Sequence, residues 1–196
     1  MVDVTVACID RYEAPNQKGV KPLLMQSAAD AESHCAEQGK RLCTEDEWLR
    51  ACRGPQGQQY PYGNSYDEHA CNHDKSYRAP RWTTLGRWPQ ASAIAEAERL
   101  DQSEPSGARE SCQSAEGVFD LTGNVAEWVR KTQAHPEACL KPGDEDHSHV
   151  VQGCSWVKCF RPPHKPACDY VNCAHDGEFR SYEMGFRCCQ DRLSTD

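Results

Sequence analysis

Four cysteines crowd one late stretch of the chain. Cys154, Cys159, Cys168 and Cys173 run through Gly153-Cys154-Ser155-Trp156 and the segment after it, with His164 between the second and third. Sulfurs this close in sequence have two uses. They cross-link a loop that has too little core of its own, or they stay reduced and grip a soft metal ion, for which thiolate is the preferred donor. His164 would serve as a third soft donor in the second case and as a solvent-facing side chain in the first. A second reactive stretch is Gly117-Val118-Phe119-Asp120-Leu121-Thr122-Gly123-Asn124-Val125-Ala126-Glu127-Trp128, where two carboxylates flank a Gly-Asn turn. Carboxylates beside turned backbone carbonyls suit a hard cation such as Ca2+, which takes six to eight oxygen ligands. The same pattern also describes a buried turn in which Asp120 caps its own backbone.

Other chemistries find little support. Zinc would need close cysteine pairs, but the short spacings are Cys154-x4-Cys159, Cys168-x4-Cys173 and adjacent Cys188-Cys189. No Gly-x-Ser-x-Gly elbow or phosphate-cradling glycine loop occurs. His147-x-His149 has strand spacing for two imidazoles on one face, yet no carboxylate partner is apparent, and a surface position is expected. The net charge of -8 and the lack of a basic stripe argue against nucleic acid. No apolar run approaches the roughly 20 residues that span a bilayer.

Something must position these stretches. At 196 residues the chain is expected to form a single domain, residues 1–196, burying about 70% of its unfolded surface. Thirteen cysteines indicate disulfides and an oxidising compartment, either secreted or periplasmic at the cell envelope, with any signal sequence already removed. The odd count leaves at least one thiol without an intrachain partner. Residues 1–13 alternate apolar and polar side chains and read as a strand. Residues 27–39 read as a helix capped by Ser27, with Gly39 beyond its end and Ala28, Ala31 and Cys35 on one face. Thr44 and Glu47 form a capping box for a second helix carrying Trp48 and Cys52, closed by Gly54-Pro55. Between residues 60 and 117 only Ala91–Leu100 is a helical candidate. Residues 131–148 form an acidic loop, and residues 150–189 return to short strands around an insertion rich in Pro and Cys. Helices followed by short strands and long loops give an α+β class.

Several segments, taken in order, are similar to the formylglycine-generating enzyme (sulfatase-modifying factor) family. They are Cys8-Ile9-Asp10-Arg11-Tyr12-Glu13, Gly39-Lys40-Arg41-Leu42-Cys43-Thr44-Glu45-Asp46-Glu47-Trp48, Tyr60-Pro61-Tyr62-Gly63-Asn64, Gly123-Asn124-Val125-Ala126-Glu127-Trp128, Gly153-Cys154-Ser155-Trp156 and Gly185-Phe186-Arg187-Cys188. The resemblance covers about residues 8–189. It implies the family's variant of the C-type lectin fold, loop-rich and stapled by disulfides. By motif position it pairs Cys35 with Cys188 and Cys52 with Cys173, Cys168 being a rival partner for Cys52.

Catalytic members of that family use two cysteines to hold Cu(I), activate O2 and oxidise a cysteine thiol in a Cys-x-Pro-x-Arg segment of a sulfatase. Carried over, the resemblance makes Cys159 and Cys168 the copper ligands and Ser155 the substrate-contacting serine. The partner would then be a protein or peptide bearing a cysteine, and the chain itself a monomer. The resemblance also assigns Asp120, Glu127 and the carbonyls of Gly123 and Val125 to a structural calcium, and Asn72-His73 to the start of a second calcium site. There are departures from the pattern. Eight residues separate Cys159 from Cys168 where the family has four. Cys154 replaces a Gly, Ala126 replaces a Trp, and carboxylate and aromatic ligands for the second calcium have no clear counterpart in residues 78–112. Two functions follow as alternatives. One is a copper-dependent, formylglycine-generating type of oxidoreductase. The other is a non-catalytic binding module on the same scaffold, with Cys159 and Cys168 as structural disulfide partners.

Overall fold

The computed structural model describes residues 1–196 except 5–6, 136–147, 158, 160–165 and 193–196. His147, His164 and the acidic run at 144–146 lie outside the described residues. The two capped helices form where their signals stand. Helix α1 (Ala28–Glu37) has Ser27 Oγ accepting from the Asp30 N–H while Asp30 reaches back to the Ser27 N–H. Helix α2 (Glu45–Arg53) repeats the arrangement with Thr44 and Glu47, and Gly54 ends it at a φ of 60°. Each reciprocal cap satisfies two backbone donors that a helix start otherwise leaves orphaned. Helix α4 spans Ala91–Leu100 as the pattern predicts. A four-residue helix, α3 (Trp82–Leu85), precedes it without a side-chain cap and left no sequence signal.

The strands are short and fall into two sheets. The first runs in the order β1 (Val2–Asp3), β2 (Cys8–Ile9), β8 (Cys188–Gln190), β3 (Arg41–Leu42). The expected single strand over residues 1–13 is therefore a hairpin instead. The Val4 N–H bonds to the Ala7 carbonyl and turns the chain, so β1 pairs antiparallel with β2. The second sheet runs β6 (Val171–Asn172), β5 (His149–Gln152), β4 (Ala126–Arg130), β7 (Met184–Phe186). β4 is antiparallel to β5 and parallel to β7, bringing Glu127 opposite both Gln152 and Gly185.

Core packing joins these pieces. Trp48 and Val129 anchor one apolar cluster, Trp128 and Phe186 a second, and Trp156 with Tyr182 a third beneath α3 and α4. Three of the chain's five tryptophans, Trp48, Trp128 and Trp156, are fully buried. A chain with 38% hydrophobic residues concentrates its burial in such large side chains and relies on cross-links for the rest.

Five disulfides join described residues: Cys35–Cys188, Cys43–Cys189, Cys52–Cys168, Cys71–Cys112 and Cys154–Cys159. Cys35–Cys188 is the pair the resemblance implies. The pairing Cys52–Cys173 requires correction: Cys52 is bonded to Cys168, and Cys173 is disulfide-bonded elsewhere. The register explains the exchange. The Cys168 N–H bonds to the Gln59 carbonyl, just beyond α2, and this brings Cys168 rather than Cys173 against Cys52. Cys8 is the free cysteine among the described residues and is partly exposed. Among the described residues, no helix is long and apolar enough to cross a membrane.

Candidate functional site

The Gly-Asn turn is built by backbone conformations few residues adopt. Asp120, Gly123 and Asn124 all have positive φ, at 59°, 83° and 58°. Asp and Asn tolerate this region better than other side chains. Gly123 is required for a second reason, because a Cβ there would lie 2.6 Å from the Asn72 carbonyl. That close approach lets the Asn124 N–H bond to the same carbonyl at 2.6 Å.

Asn124 then acts as a hub. Its amide nitrogen donates to both Glu13 oxygens at 3.0 Å, and its amide oxygen accepts from Asn72 Nδ2 at 3.0 Å and the Glu104 N–H at 2.8 Å. Its carbonyl receives the Trp156 N–H at 3.0 Å. One buried residue thus ties the N-terminal segment and the 72–104 insertion together through its side chain and the Ser155 segment through its carbonyl. Sequence reading assigned Asn124 no role beyond the turn.

Beside it lies a buried acidic cluster. Glu127 receives the Arg187 guanidinium on both oxygens, at 2.7 and 2.6 Å, and the Trp48 indole N–H at 2.9 Å. Arg187, fully buried, also donates to the Phe119, Asp10 and Arg11 carbonyls. Glu13 adds a hydrogen bond from Ser106, and Asp120 accepts the Gly107 N–H at 2.7 Å. Burial pushes the Glu13 carboxyl well above the ordinary range, reinforced by the charges of Asp120 and Glu127. Burial likewise raises Asp120 to about 6. Three carboxylates against one guanidinium leave the cluster short of positive charge, which adds to the effect of burial in making two of them hold protons more tightly.

That shortage is the test of whether calcium fits. Asp120 and Glu127 supply hard oxygen donors in a site deficient in cations, and Asp120 has only one hydrogen bond to its carboxylate among the described residues. The donor chemistry fits. The site would depend on the Gly123 and Val125 carbonyls, since no group of three or more His, Cys, Asp or Glu side chains among the described residues is arranged for a metal. The Asn72-His73 position does not fit a second calcium. Asn72 Oδ1 and both His73 ring nitrogens are buried without partners among the described residues, but the neighbouring carboxylates are committed elsewhere. Glu104 is paired with Lys75 at 2.9 Å and Arg109 at 2.8 Å, and Asp74 with Arg109 at 3.3 Å. Two side-chain cations thus neutralise the acids nearest that position.

The expected copper site has no free sulfur. Cys159 is bonded to Cys154, Cys168 to Cys52, and all four cysteines are buried. Donors locked in two separate disulfides do not fit Cu(I), which requires deprotonated thiolate. Cys168 instead holds the bond to α2 that the resemblance gives to the structural cysteine after the copper pair. Since residues 160–167 contain no cysteine, Cys159 is the one sulfur left where the resemblance places the copper pair. Ser155 is buried, and its hydroxyl donates to Glu183 at 3.1 Å, a partner that sequence spacing did not suggest. His149 also departs from its expected surface role, since it is partly buried and bonds Glu32 at 3.2 Å beside Arg130.

Similarity to known proteins follows this geometry. A model of the sulfatase-modifying factor enzyme 1-like domain matches residues 3–192. The inactive C-alpha-formylglycine-generating enzyme 2 of Bos taurus is 34% identical over 137 residues, 69% of this chain and 38% of its own length. The formylglycine-generating enzyme of Mus musculus is 29% identical over 188 residues, 89% of this chain and 45% of its own length. This chain therefore spans less than half of either relative. The fold resembles the crystal structure of CarF, with a TM-score of 0.57 at 18% identity, covering 89% of this chain and 69% of that one. It also resembles PvdO from Pseudomonas aeruginosa, with a TM-score of 0.53 at 20% identity, covering 88% and 62% respectively. With the family match running through nearly every residue and the loop-rich, disulfide-bound fold agreeing, the chain belongs to the sulfatase-modifying factor enzyme 1-like family.

Proposed function

We propose that this chain is a non-catalytic binding module of the sulfatase-modifying factor scaffold, secreted or held at the cell envelope. One observation carries the reading: Cys159 and Cys168 are each bonded to a different cysteine, Cys154 and Cys52. A formylglycine-generating oxidase needs both sulfurs reduced and together. Here they belong to separate cross-links, and the Cys52–Cys168 bond, with a sequence separation of 116, also fastens α2 to the late segment. The inactive relative supports the same direction, since the scaffold persists in a protein described as lacking activity. Fold alone would not decide this, because one fold hosts many functions.

Calcium is the structural cofactor of the proposal, held by Asp120, Glu127 and the carbonyls of Gly123 and Val125. When bound it supplies the positive charge that the buried cluster lacks.

The test is alkylation under non-reducing, denaturing conditions with mass mapping, followed by Cu(I) titration of the unreduced protein. Cys8 should be labelled, Cys52, Cys154, Cys159 and Cys168 protected, and Cu(I) should not bind tightly. Labelling of both Cys159 and Cys168, with one Cu(I) bound and lost in Cys159→Ser or Cys168→Ser, would restore the oxidase.

A further inference from the structure

Ser155 and Glu183 face each other across two chain segments, and their neighbours do the same. The hydroxyl–carboxylate bond of 3.1 Å is one rung between residues 154–157 and 181–184. The next is the ring contact of Trp156 with Tyr182, with centroids 6.3 Å apart. Tyr182 also touches Trp82 at 6.0 Å, and Trp82 touches Phe179 at 6.2 Å. This aromatic row runs from fully buried Trp156 outward to Trp82, which is 50% exposed. Exposed tryptophan is a frequent anchor of recognition surfaces.

Two polar groups at the inner end have unmet needs. Glu183 is partly buried, and Ser155 is its sole partner among the described residues; no cationic side chain there pairs with it. Burial raises its pKa above the ordinary carboxylate range, which the Ser155 hydroxyl only partly offsets. The Trp156 indole N–H is buried with no acceptor among the described residues. Burying a carboxylate without a counter-ion costs free energy, and buried groups left unsatisfied in native proteins call for an explanation. Several buried acids in this chain are ion-paired, Glu96 with Arg81 and Arg99, Glu127 with Arg187 and Asp10 with Lys40, and Glu13 and Asp120 feel the charge of the same Arg187.

We propose that Glu183, positioned by Ser155 and next to Tyr182 at the inner end of the aromatic row, is a subsite for a cationic side chain, ammonium or guanidinium, of a peptide partner. The carboxylate supplies the counter-charge, and the rings offer cation–π contact and apolar wall for the side chain's methylenes. Surfaces that are merely apolar would accept a neutral side chain as readily. The unpaired carboxylate sets the preference for positive charge.

This inference names a ligand chemistry for the binding module and rests on that reading, but its test reads Glu183 rather than thiols. The native, disulfide-intact chain is titrated with N-acetyl-lysine methylamide, N-acetyl-arginine methylamide and the uncharged isostere N-acetyl-norleucine methylamide, following tryptophan fluorescence. Ligands this small should bind with a Kd of about 1–10 mM. Both cationic probes should saturate and the norleucine probe should not. Glu183→Gln should weaken the cationic probes at least about tenfold, the loss of one charge-assisted contact. Binding should also fade as pH falls and Glu183 takes up its proton. Folding is monitored separately: Glu183→Gln keeps an acceptor for Ser155 and removes an uncompensated charge, so its Tm at neutral pH should equal or exceed wild type. Equal binding of the norleucine probe, unchanged lysine affinity in Glu183→Gln, or no saturation with any probe would overturn the proposal.

Discussion

The pairing of the sulfurs can be read from stability alone. In the chain-entropy account a cross-link destabilises the unfolded state by an amount that grows with the loop it closes. Cys52–Cys168 has a sequence separation of 116 and Cys154–Cys159 one of 5. Those lengths translate to about 5 kcal/mol for the first bond and about 2 kcal/mol for the second. For a chain of this size the paired variant Cys52→Ala/Cys168→Ala should lose about 10–20 °C in Tm, and Cys154→Ala/Cys159→Ala about 4–8 °C. The assay is thermal and guanidinium unfolding without reductant, on both pairs and on the crossed variant Cys159→Ala/Cys168→Ala. Because the crossed variant breaks two independent bonds, its loss should equal the sum of its two single substitutions. If Cys159 and Cys168 served one shared site, the crossed variant would cost no more than either single change. That result would refute the assignment, and the binding-module reading with it.

Three further outcomes test the rest of the site. Arg187→Met leaves Glu127 buried without its cation and should cost about 3–5 kcal/mol, or about 6–20 °C, in differential scanning calorimetry. Adding Glu127→Gln to that variant should recover part of the loss, whereas no recovery would show that Glu127 is not the group Arg187 neutralises. Calcium at about 100 times its Kd should raise wild-type stability by about 2.7 kcal/mol and leave Asp120→Ala unmoved, while an EDTA-insensitive Tm in wild type would remove the metal from the proposal. Glu104, held down to about 2 by the Arg109 guanidinium, is a partly exposed group with a pH signature. Its folded pKa lies below its unfolded value, so its stabilisation is present above about pH 4.5 and is lost as pH falls toward about 2. After solvent screening this amounts to about 1–2 kcal/mol, and Glu104→Gln should flatten the acid limb of the stability curve by that amount.

Local signals in the sequence were decisive for local structure. Ser27 with Gly39, and Thr44 with Glu47, set two helix boundaries, because a cap is a contact between residues three or four apart and needs nothing from the rest of the chain. The Gly123-Asn124 turn and the cysteine excess were legible for the same reason: they follow from residue type and short spacing. The long-range partners were not. Nothing in residue order sends Cys168 rather than Cys173 to Cys52, joins Ser155 to Glu183, or sets Glu13, Asn124 and Arg187 around one buried cluster. Those contacts span 28 to 116 positions. They exist because β4 pairs with both β5 and β7, and because the Asn72 carbonyl docks against a glycine with no side chain. The sequence alone determined the family, the caps and the reactive residue types. Tertiary structure decided which sulfurs are spent and that Glu183 meets Ser155 but no cationic side chain among the described residues, since burial and pairing are properties of the packed chain rather than of any segment within it.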